Sequence, residues 1–161
     1  MNTDFKKTLP FMMYRLVARL VAEANEEYGR YGLTIHGVRL LIVTRQNPGI
    51  RVGELAEITC VEGSTLSHML ARLERDGLLV RERSNSDNRS VAISLTPRGS
   101  RVADAVGKIS LAHQDMMLDG LSAVEIKQLR SLVEKMGSNI DRIPAAKAAS
   151  SQRWAMKRKL A

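Results

Sequence analysis

Wound at 3.6 residues per turn, the stretch Gly63-Ser64-Thr65-Leu66-Ser67-His68-Met69-Leu70-Ala71-Arg72-Leu73 separates into two faces. Leu66, Met69, Leu70 and Leu73 fall on one side. Ser64, Thr65, Ser67, His68 and Arg72 fall on the other. These are short hydrogen-bonding or cationic side chains, able to bring a helix close to base edges and phosphates. The stretch contains no acid, although Glu62 and Glu74 flank it. An acid turned toward phosphate is repelled, so this local absence suits a helix entering a major groove. Further along, Arg81 and Arg83 precede Ser84-Asn85-Ser86-Asp87-Asn88-Arg89, a run of turn formers ending in a cation. An arginine on a narrow projection suits the minor groove, where the potential is most negative.

Other chemistries lack their residues. The sequence offers no nucleophile–base pair, no glycine-rich phosphate loop and no metal constellation; it has one cysteine, Cys60, and three scattered histidines, His36, His68 and His113. We therefore expect no enzyme, no cofactor and no metal.

The elements that must position the polar face follow from periodicity and breakers. A helix is predicted from Thr8 to Tyr28, with Thr8 as cap, Pro10 in its first turn, and Leu9, Met13, Leu16, Val17, Leu20, Val21 and Ala24 on one stripe. A link through Gly29, Tyr31 and Gly32 leads to a second helix capped by Thr34 and stopped at Asn47-Pro48-Gly49. Two short helices follow, Val52 to Thr59 and Gly63 to Arg75, the latter closed by Gly77. Leu78 to Arg83 and Ser90 to Thr96 read as strands. Pro97 and Gly99 open a long helix with Val102, Val106, Ile109 and Met116 or Met117 on one stripe. Ser122 and Glu125 form a capping box for the last helix, with Ile126, Leu129, Leu132, Val133, Met136 and Ile140 expected inward and Pro144 ending it. A short helix crossed by a second and followed by a hairpin is a helix-turn-helix with a wing. The fold class is thus mainly α with a small β-hairpin wing. Residues 8–32 and 97–143 form a helical dimerisation lobe, 33–96 the DNA-binding lobe, and 144–161 a basic tail. The long apolar stripes on the terminal helices call for a second copy.

The ordered pieces Leu33-Thr34, Val52-Gly53-Glu54-Leu55-Ala56-Glu57, Ser64-Thr65-Leu66-Ser67, Arg72-Leu73-Glu74-Arg75-Asp76-Gly77-Leu78, Asp87-Asn88-Arg89-Ser90 and Leu95-Thr96-Pro97-Arg98-Gly99 resemble the MarR family of winged-helix regulators, over about Leu9 to Asp141. The resemblance implies a homodimer that represses transcription from near-palindromic double-stranded operators. It also implies that Arg89 is the wing arginine and that Asp87 braces the wing against a basic residue such as Arg72. Two positions depart from the family pattern: Cys60 stands where glycine is usual in the turn, and Thr59 where leucine is common.

The resemblance further implies release from DNA by a small phenolic or aromatic carboxylate effector. Tyr14, Arg15, Arg19, His36 and Arg39 are the candidate pocket residues, and His36 and Arg39, three apart, share a helical face that could hold a carboxylate. Ordinary surface roles fit the same side chains. Cys60 is expected to be a small buried residue and the eight methionines core fillers.

Charge supports the reading less than its size suggests. The net charge is +8, but Lys147, Arg153, Lys157, Arg158 and Lys159 place +5 of it in residues 144–161. The alternatives are an architectural DNA-binding protein using that tail and a ligand-independent DNA-binding regulator. Met1 to Pro10 holds no apolar signal-peptide core and no apolar run approaches membrane-spanning length, so a cytoplasmic protein without a membrane partner is expected.

Overall fold

The computed structural model describes residues 4–84 and 87–142, with backbone alone at 83, 84 and 87–90. A 3-10 turn, Phe5–Lys7, precedes α1 (Leu9–Gly29) and α2 (Ile35–Gln46). Then come β1 (Ile50–Arg51), α3 (Val52–Thr59), α4 (Gly63–Arg75), β2 (Leu79–Ser84) and β3 (Asp87–Leu95), followed by α5 (Pro97–Leu118) and α6 (Ala123–Asp141). The fold class is the expected one. The chain divides into two units, Met1–Met117 and Leu118–Ala161.

The first unit has one core. Ala24 and Tyr28 of α1, Val38, Leu40 and Leu41 of α2, Leu55 of α3, Leu66, Leu70 and Leu73 of α4, Leu79 and Ile93 of the sheet, and Ala103 and Val106 of α5 are all buried in it. Local chemistry sets the boundaries. The Thr34 side chain accepts from the Gly37 N–H, and Asn25 Oδ1 accepts from the Ile35 N–H at 2.9 Å, so α2 begins with its free donors partly satisfied. Thr8 does not cap α1. Its hydroxyl donates to the Phe5 carbonyl at 2.8 Å instead, because the preceding 3-10 turn puts that acceptor closer than the helix amides.

The sheet holds a strand that periodicity does not reveal. β1 is two residues long and pairs antiparallel with β3, Ile50 opposite Ile93, giving the order β1-β3-β2. It ties the start of α3 to the wing. β3 also begins at Asp87 rather than Ser90.

α4 is anchored at its C-terminus. Gly77 takes φ +68°, its N–H bonds to the Glu74 carbonyl and the Leu78 N–H to that of Leu73, the paired bonds of a glycine-closed helix. The corner before α5 then grips this end. The Thr96 hydroxyl donates to the Gly77 carbonyl at 2.7 Å, the Leu78 carbonyl accepts from the Thr96 N–H, and Arg98 donates to the Asp76 carbonyl at 2.8 Å. Gly99 is needed because a Cβ there would lie 1.7 Å from the Leu78 carbonyl oxygen.

Several apolar side chains expected inside are not. On α6, Leu129, Leu132, Val133 and Ile140 are exposed, Leu132 at 59% and Ile140 at 67%, with Ile126 and Met136 half-buried. On α1, Leu9, Met13, Leu16 and Val17 are exposed, while Leu20 and Val21 are half-buried. Met12, Met116 and Met117 are exposed as well. Exposed apolar faces of this kind mark association surfaces. Cys60 is also exposed. It ends α3 at φ 52°, in the left-handed region, with its thiol on the Glu57 carbonyl 3.7 Å away.

Candidate nucleic-acid interface

α3 and α4 are joined by Cys60, Val61 and Glu62. The left-handed cap at Cys60 reverses the chain direction over three residues, which lets α4 cross α3. Glycine adopts this conformation without strain, which is why glycine is usual at this turn and why Cys60 is a costlier occupant. Amphipathicity then decides which face of α4 looks outward. Leu66, Leu70 and Leu73 are buried and Met69 half-buried, whereas Ser64, Thr65, Ser67, His68 and Arg72 are exposed. The face read from the sequence is thus assembled on one side of a helix whose other side is locked into the core.

The hydrogen bonds on that face are not legible in the sequence. Glu62 caps α4: its Oε2 accepts from the N–H groups of Ser64 at 3.1 Å and Thr65 at 3.3 Å, and from the Ser64 hydroxyl. The Ser64 hydroxyl, then the Ser64 and Thr65 amides, hold the Glu62 carboxyl below its ordinary pKa, so it is charged. The Ser67 hydroxyl donates to the Gly63 carbonyl at 2.9 Å. Arg72 donates to the Gly32 carbonyl at 3.2 Å and lies 3.8 Å from Asp76. It links α4 to the α1–α2 connection. Arg81, on β2, is held in an ion pair with Glu74 at 2.7 Å, which joins the root of the wing to α4. The side chains of Asp87 and Arg89 lie outside the described residues, as does the basic tail. The described partners of Arg72 are Gly32 and Asp76.

A second feature of the first unit is a cavity of about 320 Å³ whose lining includes Leu20, Tyr28, Ile42, Arg39, His113 and Met117. One wall is organised by contacts between α1 and α5. The Tyr28 hydroxyl and Ser110 hydroxyl are 2.8 Å apart, and the buried His113 Nε2 lies 2.9 Å from Glu27. His113 Nδ1 is buried and has no hydrogen-bond partner among the described residues. Of the five residues expected in a pocket, Arg39 lines this one. Tyr14, Arg15, Arg19 and His36 are exposed and are not part of its lining. Tyr28 and His113 escape a reading of the sequence because their partners lie more than eighty residues away along the chain.

Against this geometry, the comparisons with known proteins are decisive. The MarR family model matches residues 33–91, the span from α2 into β3. The HTH-type transcriptional repressor Rv2887 of Mycobacterium tuberculosis is 30% identical over 131 residues, covering 81% of this chain and 94% of that protein.

The chain belongs to the MarR family.

It is accordingly a DNA-binding transcription regulator of the winged-helix type and not an enzyme. A MarR family regulator from Silicibacter pomeroyi superposes with a TM-score of 0.74 at 32% identity, over 84% of this chain and 91% of that one. MepR from S. aureus, solved as a DNA complex, shares the fold with a TM-score of 0.76 at 23% identity, over 82% of this chain and 98% of its own. No helix among the described residues is long and apolar enough to cross a membrane.

Proposed function

We propose that this MarR family protein is a cytoplasmic homodimeric repressor that holds a near-palindromic operator and is released by a small aromatic or phenolic ligand. The observation that carries the DNA reading is the exposed polar face of α4, backed by three buried leucines and anchored at its C-terminus. Ser64, Thr65, Ser67, His68 and Arg72 then face the major groove, and Arg81, Asp87 and Arg89 build and tip the wing. Residues 8–32 and 97–143 supply the dimer contacts, supported by the exposed apolar side chains of α1 and α6. The relatives named as repressors, and the solved DNA complex of MepR, favour the same reading.

The helix and the wing have separable signatures. Arg89→Ala weakens binding to every duplex and flattens the salt dependence, by about 0.9 in log–log slope for each phosphate that the arginine neutralises. Ser67→Ala or His68→Ala instead changes preference among operator variants, by about 1–3 kcal/mol where the parent side chain bonds a base edge. Salt titrations by fluorescence anisotropy read both. An Arg89→Ala protein that binds its operator like the parent at every salt concentration removes the wing from the interface.

The effector takes the cavity among α1, α2 and α5, whose apolar lining and volume suit one aromatic ring. Arg39 is the cation available for a carboxylate there. Calorimetry with aromatic carboxylates and phenols tests this: Arg39→Ala weakens carboxylate binding and His36→Ala leaves it unchanged. Equal binding by both variants and the parent moves the pocket elsewhere. The basic tail favours a second, architectural reading through its +5 charge. Truncation after Arg142 separates the two, since loss of operator discrimination on truncation supports the architectural role.

A further inference from the structure

The N-terminus of a helix ordinarily attracts phosphate, because its first amides are free and the helix dipole is positive there. At α4 two of these amides and two nearby hydroxyls are already committed within the protein. The Ser64 and Thr65 amides and the Ser64 hydroxyl all point at Glu62 Oε2, and the Ser67 hydroxyl is bound to the Gly63 carbonyl. What the start of α4 offers outward is therefore a carboxylate, the lone pairs of the Ser64 and Ser67 hydroxyl oxygens, and the exposed Thr65 hydroxyl, with the carboxylate its one charge. In a helix-turn-helix, the N-terminal residues of the second helix come nearest the base edges. In the major groove, the groups that satisfy an acceptor are the amino groups, N4 of cytosine and N6 of adenine.

We infer that Glu62 is a specificity-determining residue: its carboxylate turns the first turn of α4 into an acceptor face that excludes backbone phosphate and admits duplexes presenting cytosine or adenine amino groups there. The inference rests on the proposed docking of α4 in the major groove. Its logic is repulsive as much as attractive. In the operator, a base amino group meets the acceptor face. On a random duplex the charge stays unpaired beside phosphates, and affinity falls. The hydrogen bonds that hold the carboxyl below its ordinary pKa keep this charge in place at neutral pH. A unit charge roughly 7 Å from a phosphate in water changes affinity about threefold, hence about tenfold for a dimer carrying two α4 helices.

Glu62→Gln tests the charge while keeping an oxygen that can accept from Ser64 and Thr65. Glu62→Asp keeps both charge and cap. Each is compared with the parent on a selected operator and on a scrambled duplex, across a salt series, with thermal unfolding run alongside. The expected result is that Glu62→Gln binds the scrambled duplex about tenfold tighter. Its salt dependence there steepens by up to about 0.9 for each α4, and its operator affinity changes less, so discrimination falls. Glu62→Asp retains the parent's discrimination. A Glu62→Gln protein whose affinity for the scrambled duplex is unchanged or weaker overturns the inference, and a lowered melting temperature with that result reduces Glu62 to a helix cap. If the parent protein itself does not prefer operator to scrambled DNA, the regulator reading fails first, whatever Glu62 does.

Discussion

Gly99 sets helix propensity against sterics, and the structure says which wins. Glycine near the start of α5 costs backbone entropy, so propensity alone favours Gly99→Ala by up to about 1 kcal/mol. Yet Gly99 is buried, and its added Cβ would sit 1.7 Å from the Leu78 carbonyl oxygen and 2.7 Å from the carbonyl carbon. These are backbone atoms that no rotamer can move. Restoring an ordinary separation of 3.4 Å requires the first turn of α5 to retreat by more than an ångström from the end of α4. That motion strains the Thr96–Gly77, Thr96–Leu78 and Arg98–Asp76 hydrogen bonds, each worth about 0.5–1.5 kcal/mol net. It also loosens packing around Leu78 and Leu79, at about 1–3 kcal/mol. The net expectation is a loss of about 3 kcal/mol, a fall in Tm of roughly 6–12 °C for a chain of this size. Gly107→Ala, in the same helix with open space at its Cβ, should raise stability by about 0.5–1 kcal/mol. Urea and thermal unfolding followed by circular dichroism measure both. A Gly99→Ala protein as stable as the parent would show that the corner does not hold α4 to α5 in this way.

Other consequences rest on single interactions. Cys60→Gly should stabilise the fold by about 1 kcal/mol, by relieving the left-handed strain at φ 52°, while Cys60→Ala should not; equal melting temperatures for the two variants would contradict this. The Ser122 hydroxyl, then the Ser122 amide, hold the Glu125 carboxyl below its ordinary value of 4.5. The stability this contributes is present above 4.5 and fades as pH falls through the lower folded value. Melting curves of the parent and Glu125→Gln should therefore differ at neutral pH and converge in acid. A double-mutant cycle on Arg81 and Glu74, a half-exposed pair at 2.7 Å, should give a coupling of about 0.5–1 kcal/mol that weakens with salt.

The parts of this molecule that are legible in the sequence are those whose cause is local. The polar face of α4 follows from leucine spacing, the end of α4 from Gly77, and the start of α6 from Ser122 and Glu125. β1 is illegible because two residues carry no period, and its existence depends on pairing with Ile93 across the fold. The pairing of His113 with Glu27 is hidden by distance along the chain. In the sequence Glu62 is merely an acid outside an acid-free stretch. Its contacts with the Ser64 and Thr65 amides become visible only in the folded helix. The stripes of α1 and α6 are plainly apolar in the sequence yet lie exposed, because periodicity shows that a face must be covered and not which molecule covers it.

In the proposed dimer two copies of α4 read DNA together. Selection of tight binders from a random duplex library by the purified full-length protein tests it most directly. The expected result is enrichment of one near-palindromic sequence whose half-site centres lie one helical turn apart, about 34–36 Å, bound by a dimer. Recovery of no common sequence, or of a single unrepeated half-site bound by a monomer, would contradict it.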